Sequence, residues 1–291
     1  MSEGTSYKEK VSEISESGFC SLNNFFSKEI LDSVGEGILD LFLLQARKID
    51  DYREKIFAIK SNENDTKSIF KNLQYILDLM EKNDKEALYQ VQSFILESAI
   101  VKKIITNELI EFCGLALNSR RSELLFNGPG LFINKPNTQR LLYKWHSEAH
   151  YYPKRRRFLN LWIPLFSNKN KENGTMSFKV GSHKKDFPFS QYQGYDKDSQ
   201  NKSNYFVQNE IPSNLLKDYK EHFCINSPGD LIVFNRSLVH TSNMNISNEY
   251  SFALVMRVWN PSDDLTLSGN IAATPYGNDK GRSGLIVSSD F

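Results

Sequence analysis

The chain has 291 residues, 40% apolar and 24% charged, with 36 Lys+Arg against 35 Asp+Glu for a formal net charge of +1. That length suits a globular protein with a sizeable core, and the charge balance gives no reason to expect nucleic acid or an anionic membrane as partner. Cys20, Cys113 and Cys224 are too widely spaced for a disulfide framework or zinc knuckle, and no run approaches the roughly 18 apolar residues of a membrane span, so a cytoplasmic protein without signal peptide or transmembrane segment is expected.

In chain order, residues 7–17 read as a short charged helix and Gly18-Phe19-Cys20-Ser21-Leu22 as a short strand. Ser27-Lys-Glu-Ile30 is a helix start signal. Ile30, Leu31, Val34, Ile38, Leu39, Leu41, Phe42 and Leu43 then follow helical spacing and predict a helix over 30–49. A second helix opens at Asp65 and carries Ile69, Phe70, Leu73, Ile76, Leu77 and Met80; a third covers 85–106 and a fourth 107–117. These apolar stripes read as core packing with no catalytic role. After Asn127-Gly-Pro-Gly130 the texture changes. Runs at 131–135, 140–146, 158–166, 175–180, 230–234 and 252–259 are β-branched and aromatic between turn residues, and read as strands. Residues 168–173 form a polar turn, 183–225 a polar stretch with a mobile loop at 199–204, and 263–291 a Gly- and Ser-rich tail. Strands without intervening helices predict a sandwich or barrel rather than a βαβ sheet.

Of five histidines, two stand in strand-like settings with a carboxylate near one of them. In Trp145-His146-Ser147-Glu148, an extended backbone puts His146 and Glu148 on one face. His240 follows the apolar run 229–234. Two histidines and one carboxylate on one side of a metal leave positions open for O₂ and a reductant, the facial arrangement of Fe(II) oxygenases. The same set can hold zinc for hydrolysis, although the helical His-Glu-x-x-His of many zinc hydrolases is absent. His150 would compete as a ligand on a helix, but Tyr151-Tyr152-Pro153 argues against one, so His150 reads as a pocket or surface residue. His183 and His222 read as structural or exposed.

These segments resemble the phytanoyl-CoA dioxygenase family. Trp145-His146-Ser-Glu148-Ala-His-Tyr151 is similar to its Trp-His-x-Asp-x-x-Tyr segment, and Phe158-Leu-Asn-Leu-Trp162-Ile-Pro164-Leu165 to its next strand. Asn173-Gly174 with Gly181-Ser182-His183-Lys184, and Gly229-Asp230 with His240-Thr-Ser242, follow in the same order. Gly18-Phe19 and Phe25-Phe26-Ser-Lys-Glu-Ile30 resemble its opening, so the resemblance spans roughly residues 12 to 260. It implies a double-stranded β-helix, a cupin-like jelly-roll of α+β class and mainly β core, with N-terminal supporting helices. It implies one oxygenase domain over 1–291: helical support at 1–126, jelly-roll at 127–262 and an extension at 263–291. It further implies Fe(II) on His146, Glu148 and His240, with 2-oxoglutarate and O₂ as cosubstrates, a small-molecule substrate, and succinate and CO₂ as co-products. Hydroxylation is the commonest outcome; desaturation, epimerisation or ring closure on the same iron is the alternative, and a silent ligand-binding jelly-roll the reading from another class.

Two departures stand out. Glu148 replaces the family's Asp, which keeps the charge and disfavours a halide site. The family's Arg, about eleven residues past the distal His and bound to the far carboxylate of 2-oxoglutarate, is here Ser251. Arg257 lies six residues further on the same strand face, about 20 Å away at ~3.3 Å per residue, and becomes the candidate for that carboxylate. Arg140, Lys144 and Arg155-Arg156-Arg157 are rival cations, and Ser242 and Asn160 candidate helpers. Tyr151, Tyr152, the arginine cluster and the stretch 183–222 are expected to frame the substrate pocket, with a basic and aromatic character suited to an anionic or amino-acid-like molecule. The oligomeric state is not readable.

Overall fold

In a computed structural model that describes residues 7–48, 66–83, 85–138, 142–152, 157–193 and 207–263, the N-terminal third is helical. Helices α1 (Tyr7–Ser17), α2 (Lys28–Ala46), α3 (Thr66–Asn83), α4 (Lys85–Glu97) and α5 (Asn107–Leu117) carry it, with strand β1 (Phe19–Leu22) between the first two. Side chains close the helix starts. Ser27 Oγ accepts from the Ile30 amide at 3.4 Å, and Thr106 Oγ1 from the Leu109 amide at 3.1 Å. The helix expected over 85–106 is interrupted after Glu97. The Ser98 hydroxyl accepts from the Val101 amide at 3.3 Å and starts a separate short turn, Val101–Ile104.

Nine further strands follow: β2 (Leu125–Asn134), β3 (Leu159–Leu165), β4 (Met176–Lys179), β5 (Ser190–Gln193), β6 (Val207–Glu210), β7 (Glu221–Phe223), β8 (Leu231–Asn235), β9 (His240–Ser242) and β10 (Ser251–Trp259). They form a five-stranded antiparallel sheet in the order β1-β8-β3-β10-β2, a three-stranded sheet β7-β4-β9, and the hairpin pair β5-β6. The central strand β3 is buried along its whole length, so it reads as a continuous apolar run rather than an alternation. Its two faces still have different neighbours. Leu159, Leu161, Ile163 and Leu165 join the helix-facing core, with Ile38, Phe42, Leu73 and Leu77. Trp162 turns the other way and packs with Phe178 of β4, Ile232 and Phe234 of β8 and Ala253 of β10, the apolar filling between the two sheets. The sandwich interior is therefore the face of β10 that carries the odd-numbered residues, Ser251 to Arg257.

Glycine and asparagine fix the turn before β4. Gly174 has φ +79°, and a Cβ there would lie 2.1 Å from Asn134 Nδ2, which donates to the Gly174 carbonyl at 3.0 Å. Asp230, from the Gly-Asp segment, has a structural role. Its carboxylate accepts from the Asn24 and Ser227 amides at 2.9 and 2.8 Å and ties the loop after β1 to the start of β8.

The strand expected over 140–146 does not form in its described part. Only His146 pairs, as an isolated bridge to His240, while the carbonyls of Tyr143 and Trp145 accept from Ser242 and Ile211 on different segments. Four strands are additional: β5, β6 and β7 within the polar stretch 183–225, and β9. Residue 49 of the first predicted helix, residue 65 of the second, residues 140, 141, 155 and 156, the loop 199–204 and the tail from 264 lie outside the described residues. Among the described residues no helix is long and apolar enough to cross a membrane.

Candidate metal centre

His146 and His240 are 94 residues apart in sequence and are joined by their backbones. Each amide donates to the other residue's carbonyl, at 3.0 and 2.9 Å. Residues facing each other in such a bridge project to the same side, and the two imidazole centroids lie 4.1 Å apart. Each Nδ1 faces the carbonyl two residues back, Lys144 O at 2.6 Å and Leu238 O at 2.9 Å. A carbonyl only accepts, so Nδ1 carries the proton and Nε2 keeps a lone pair. The Nε2 atoms lie 3.8 and 3.9 Å from Glu148 Oε1.

Glu148 arrives through one extended residue rather than a strand. Ser147 has φ −125° and ψ 149°, which carries Glu148 to the His146 side, and the chain then turns into the helical turn Glu148–His150. That turn is fixed from behind: the Ala149 amide donates to the Arg236 carbonyl at 3.0 Å, and the Arg236 guanidinium donates to the carbonyls of Ala149 and Tyr152. Of the carboxylate, Oε1 faces the imidazoles while Oε2 accepts from Arg257 Nε at 3.1 Å and Nη2 at 2.8 Å. Burial alone would push this carboxyl up. The adjacent Arg257 charge outweighs it and holds the group well below the usual carboxylate range. Burial first, then the neighbouring His146, pushes the His240 imidazole down to about 3, so it is neutral near pH 7.

The donor set fits a metal. His146, Glu148 and His240 are all buried, their ligand atoms lie within 4.8 Å of one another, and they are the one such group among the described residues. Two lone pairs and an anionic oxygen converge with no donor hydrogen between them. That arrangement is repulsive alone and is satisfied by a divalent cation. Two nitrogens and one oxygen on one side suit Fe(II) with open positions. Apolar rings close the flanks: Phe234 and Phe178 stand edge-on to His240 at 5.0 and 6.5 Å, and Tyr151 to His146 at 5.8 Å.

The other predicted residues are distributed differently. Arg257, expected to bind the far carboxylate of a cosubstrate, is engaged by Glu148 and lies 5.1 Å over the Tyr152 ring. Its partner across the β3–β10 ladder is Asn160, which is buried on the interior face with Nδ2 unpartnered. Ser242 shares a strand with His240. Lys144, a rival cation, pairs with Glu210 at 2.7 Å. His150 stacks on Phe189 at 4.1 Å and is not one of the converging residues. His183 points its Nε2 to the Ser15 carbonyl at 3.1 Å, and His222 packs on Phe19 at 4.8 Å. Ser251 lies at the opposite end of the interior face of β10 from Arg257, and its Oγ accepts from the ammonium of Lys169. Sequence reasoning missed Lys169, because it sits in a polar turn among Asn and Lys residues where nothing local marks it as buried.

The family described as phytanoyl-CoA dioxygenase (PhyH) matches residues 14–251. No curated protein sequence is significantly similar to the chain. Among solved structures, the epimerase SnoN in complex with Fe3+, alpha ketoglutarate and nogalamycin RO is 12% identical, covers 98% of this chain and 96% of its own, and has a TM-score of 0.52. The apo non-heme monooxygenase ThoJ is 14% identical over 86% of this chain and 77% of its own, with a TM-score of 0.52. EvdO2 from Micromonospora carbonacea var. aurantiaca, complexed with 2-oxoglutarate, is 14% identical over 88% and 91%, with a TM-score of 0.49.

Proposed function

This chain belongs to the phytanoyl-CoA dioxygenase family of iron- and 2-oxoglutarate-dependent oxygenases, and from that membership we propose that it hydroxylates a small-molecule substrate. His146, Glu148 and His240 are the residues that would hold the iron. The observation that carries this reading is the convergence of three buried electron-rich atoms within 4.8 Å. Bound there together, Fe(II) and 2-oxoglutarate supply the activation of O₂, with succinate and CO₂ as co-products. The chain's own residues prepare that centre. The carbonyls of Lys144 and Leu238 fix both imidazole tautomers with Nε2 free. Arg257 holds Glu148 Oε2, so the carboxylate stays ionised and presents one oxygen. Phe178, Phe234 and Tyr151 pack edge-on against the imidazoles and hold their planes. On this fold SnoN is an epimerase and ThoJ a monooxygenase, so the products formed from a candidate substrate decide between hydroxylation and another oxidative outcome.

The test is an anaerobic titration of Fe(II) and 2-oxoglutarate into metal-free protein. A weak visible charge-transfer band is expected when both are present, and its loss in Glu148→Ala. Iron binding without a band would assign a different cosubstrate. Absence of iron binding would leave a ligand-binding jelly-roll.

A further inference from the structure

The chain leaves β3 through Phe166 at φ 65°, and the Ser167 amide donates back to the Leu165 carbonyl at 2.8 Å. This sharp reversal, anchored by the Lys169 amide on the Asn226 carbonyl at 2.7 Å, returns the chain to the start of β10. Lys169 is there 2% exposed. Its ammonium donates to Ser251 Oγ and lies 5.7 Å from the centre of the Trp162 ring, an interior residue. Among the described residues no carboxylate pairs with it. A buried cation held by one neutral hydroxyl and a ring face is costly, and a fold retains it most readily where an anion completes it. Burial pushes this ammonium down to about 7.

The interior face of β10 joins this cation to the metal ligands. Arg257 stands at one end, bonded to Glu148. Ser251 stands at the other with Lys169, and Ala253 and Val255 are the residues of that face between them. We infer that Lys169, entering from the loop after β3, binds the far carboxylate of 2-oxoglutarate together with Ser251, in place of the arginine that the family carries at position 251. This rests on the proposed function and deepens it. It also releases Arg257 to remain on Glu148, since one guanidinium does not then serve two distant carboxylates.

The test compares 2-oxoglutarate with 2-oxopentanoate, the same 2-oxo acid with a methyl in place of the far carboxylate. Both are titrated anaerobically into the Fe(II)-loaded full chain, and binding is followed by calorimetry. The unsubstituted protein is expected to prefer 2-oxoglutarate. Lys169→Met is expected to weaken 2-oxoglutarate about ten- to hundredfold, the range of a buried charge-assisted hydrogen bond, and to leave 2-oxopentanoate and Fe(II) binding nearly unchanged. The metal-free Lys169→Met protein is expected to melt at or above the parent's temperature, because an unpaired buried charge is removed. A variant that keeps the full preference overturns the assignment. A variant that melts well below the parent, or does not fold, also overturns it, by giving Lys169 a structural role. If the unsubstituted protein binds neither acid, the proposed function itself fails, a result distinct from both.

Discussion

Glu148 divides its two oxygens between different neighbours, and that division makes Arg257 a positioning residue. The guanidinium grips Oε2 through two N–H groups, which fixes the plane of the carboxylate and keeps it ionised despite burial. Arg257→Gln is therefore expected to weaken Fe(II) binding roughly ten- to hundredfold, the usual consequence of losing a partner behind a metal ligand. Titration of the metal-free protein with Fe(II) at two pH values checks this. The loss should be greater at the lower pH, because a Glu148 freed of Arg257 takes up a proton more readily; equal losses at both would count against the electrostatic part of the argument. At this scale the sequence points to His146, Glu148 and His240, which converge in the structure, and to Arg257, though not as the partner of Glu148; it gives no sign of Lys169. His146 and Glu148 were found by spacing, which works for any extended residue between them, and Ser147 is one. The partner of Glu148 depends on how β10 faces the turn Glu148–His150, and the burial of Lys169 depends on a reversal at Phe166. Neither leaves a local sequence signal.

Individual elements show why some were legible and others not. Strand β3 is apolar on both faces because helices cover one and the second sheet the other, so it stands out as a continuous run. By contrast, β5 and β7 are short and polar, with the described residues of β5 and all three residues of β7 lying partly or fully exposed. Their pairing is set by partners distant in the chain rather than by their own composition. The turn into β4 is the most constrained connection near the site. Gly174→Ala would place a Cβ 2.1 Å from Asn134 Nδ2 and 3.0 Å from the Asn243 carbonyl, in a backbone conformation unsuited to a side chain. It is expected to cost about 1–3 kcal/mol, read as a lower denaturant midpoint with unchanged slope. Because Asn243 follows β9, the same change should also weaken Fe(II) binding through His240; a purely global loss with intact metal affinity would separate this turn from the site.

Across the whole molecule, two apolar cores share the five-stranded sheet. Cys20 and Cys113 belong to the helix-facing core and Cys224 lies in the filling between the sheets, all three free and almost fully buried. Burial pushes the Cys20 thiol up to about 12 and the other two upward as well, so none is expected to react with a thiol reagent in the native protein. If the sheet couples the cores, which would make 1–291 one folding unit, all three thiols should become reactive in one transition on adding denaturant. Cys224 reacting well before Cys20 and Cys113 would show two separable units instead. The order of events during synthesis follows from the paired amides of His146 and His240. Residue 240 must emerge from the ribosome before the second imidazole can reach the first, so a translation product that ends before it cannot assemble the three-residue group. The group that would seat the metal is therefore set only late in synthesis, by the pairing of two segments 94 residues apart.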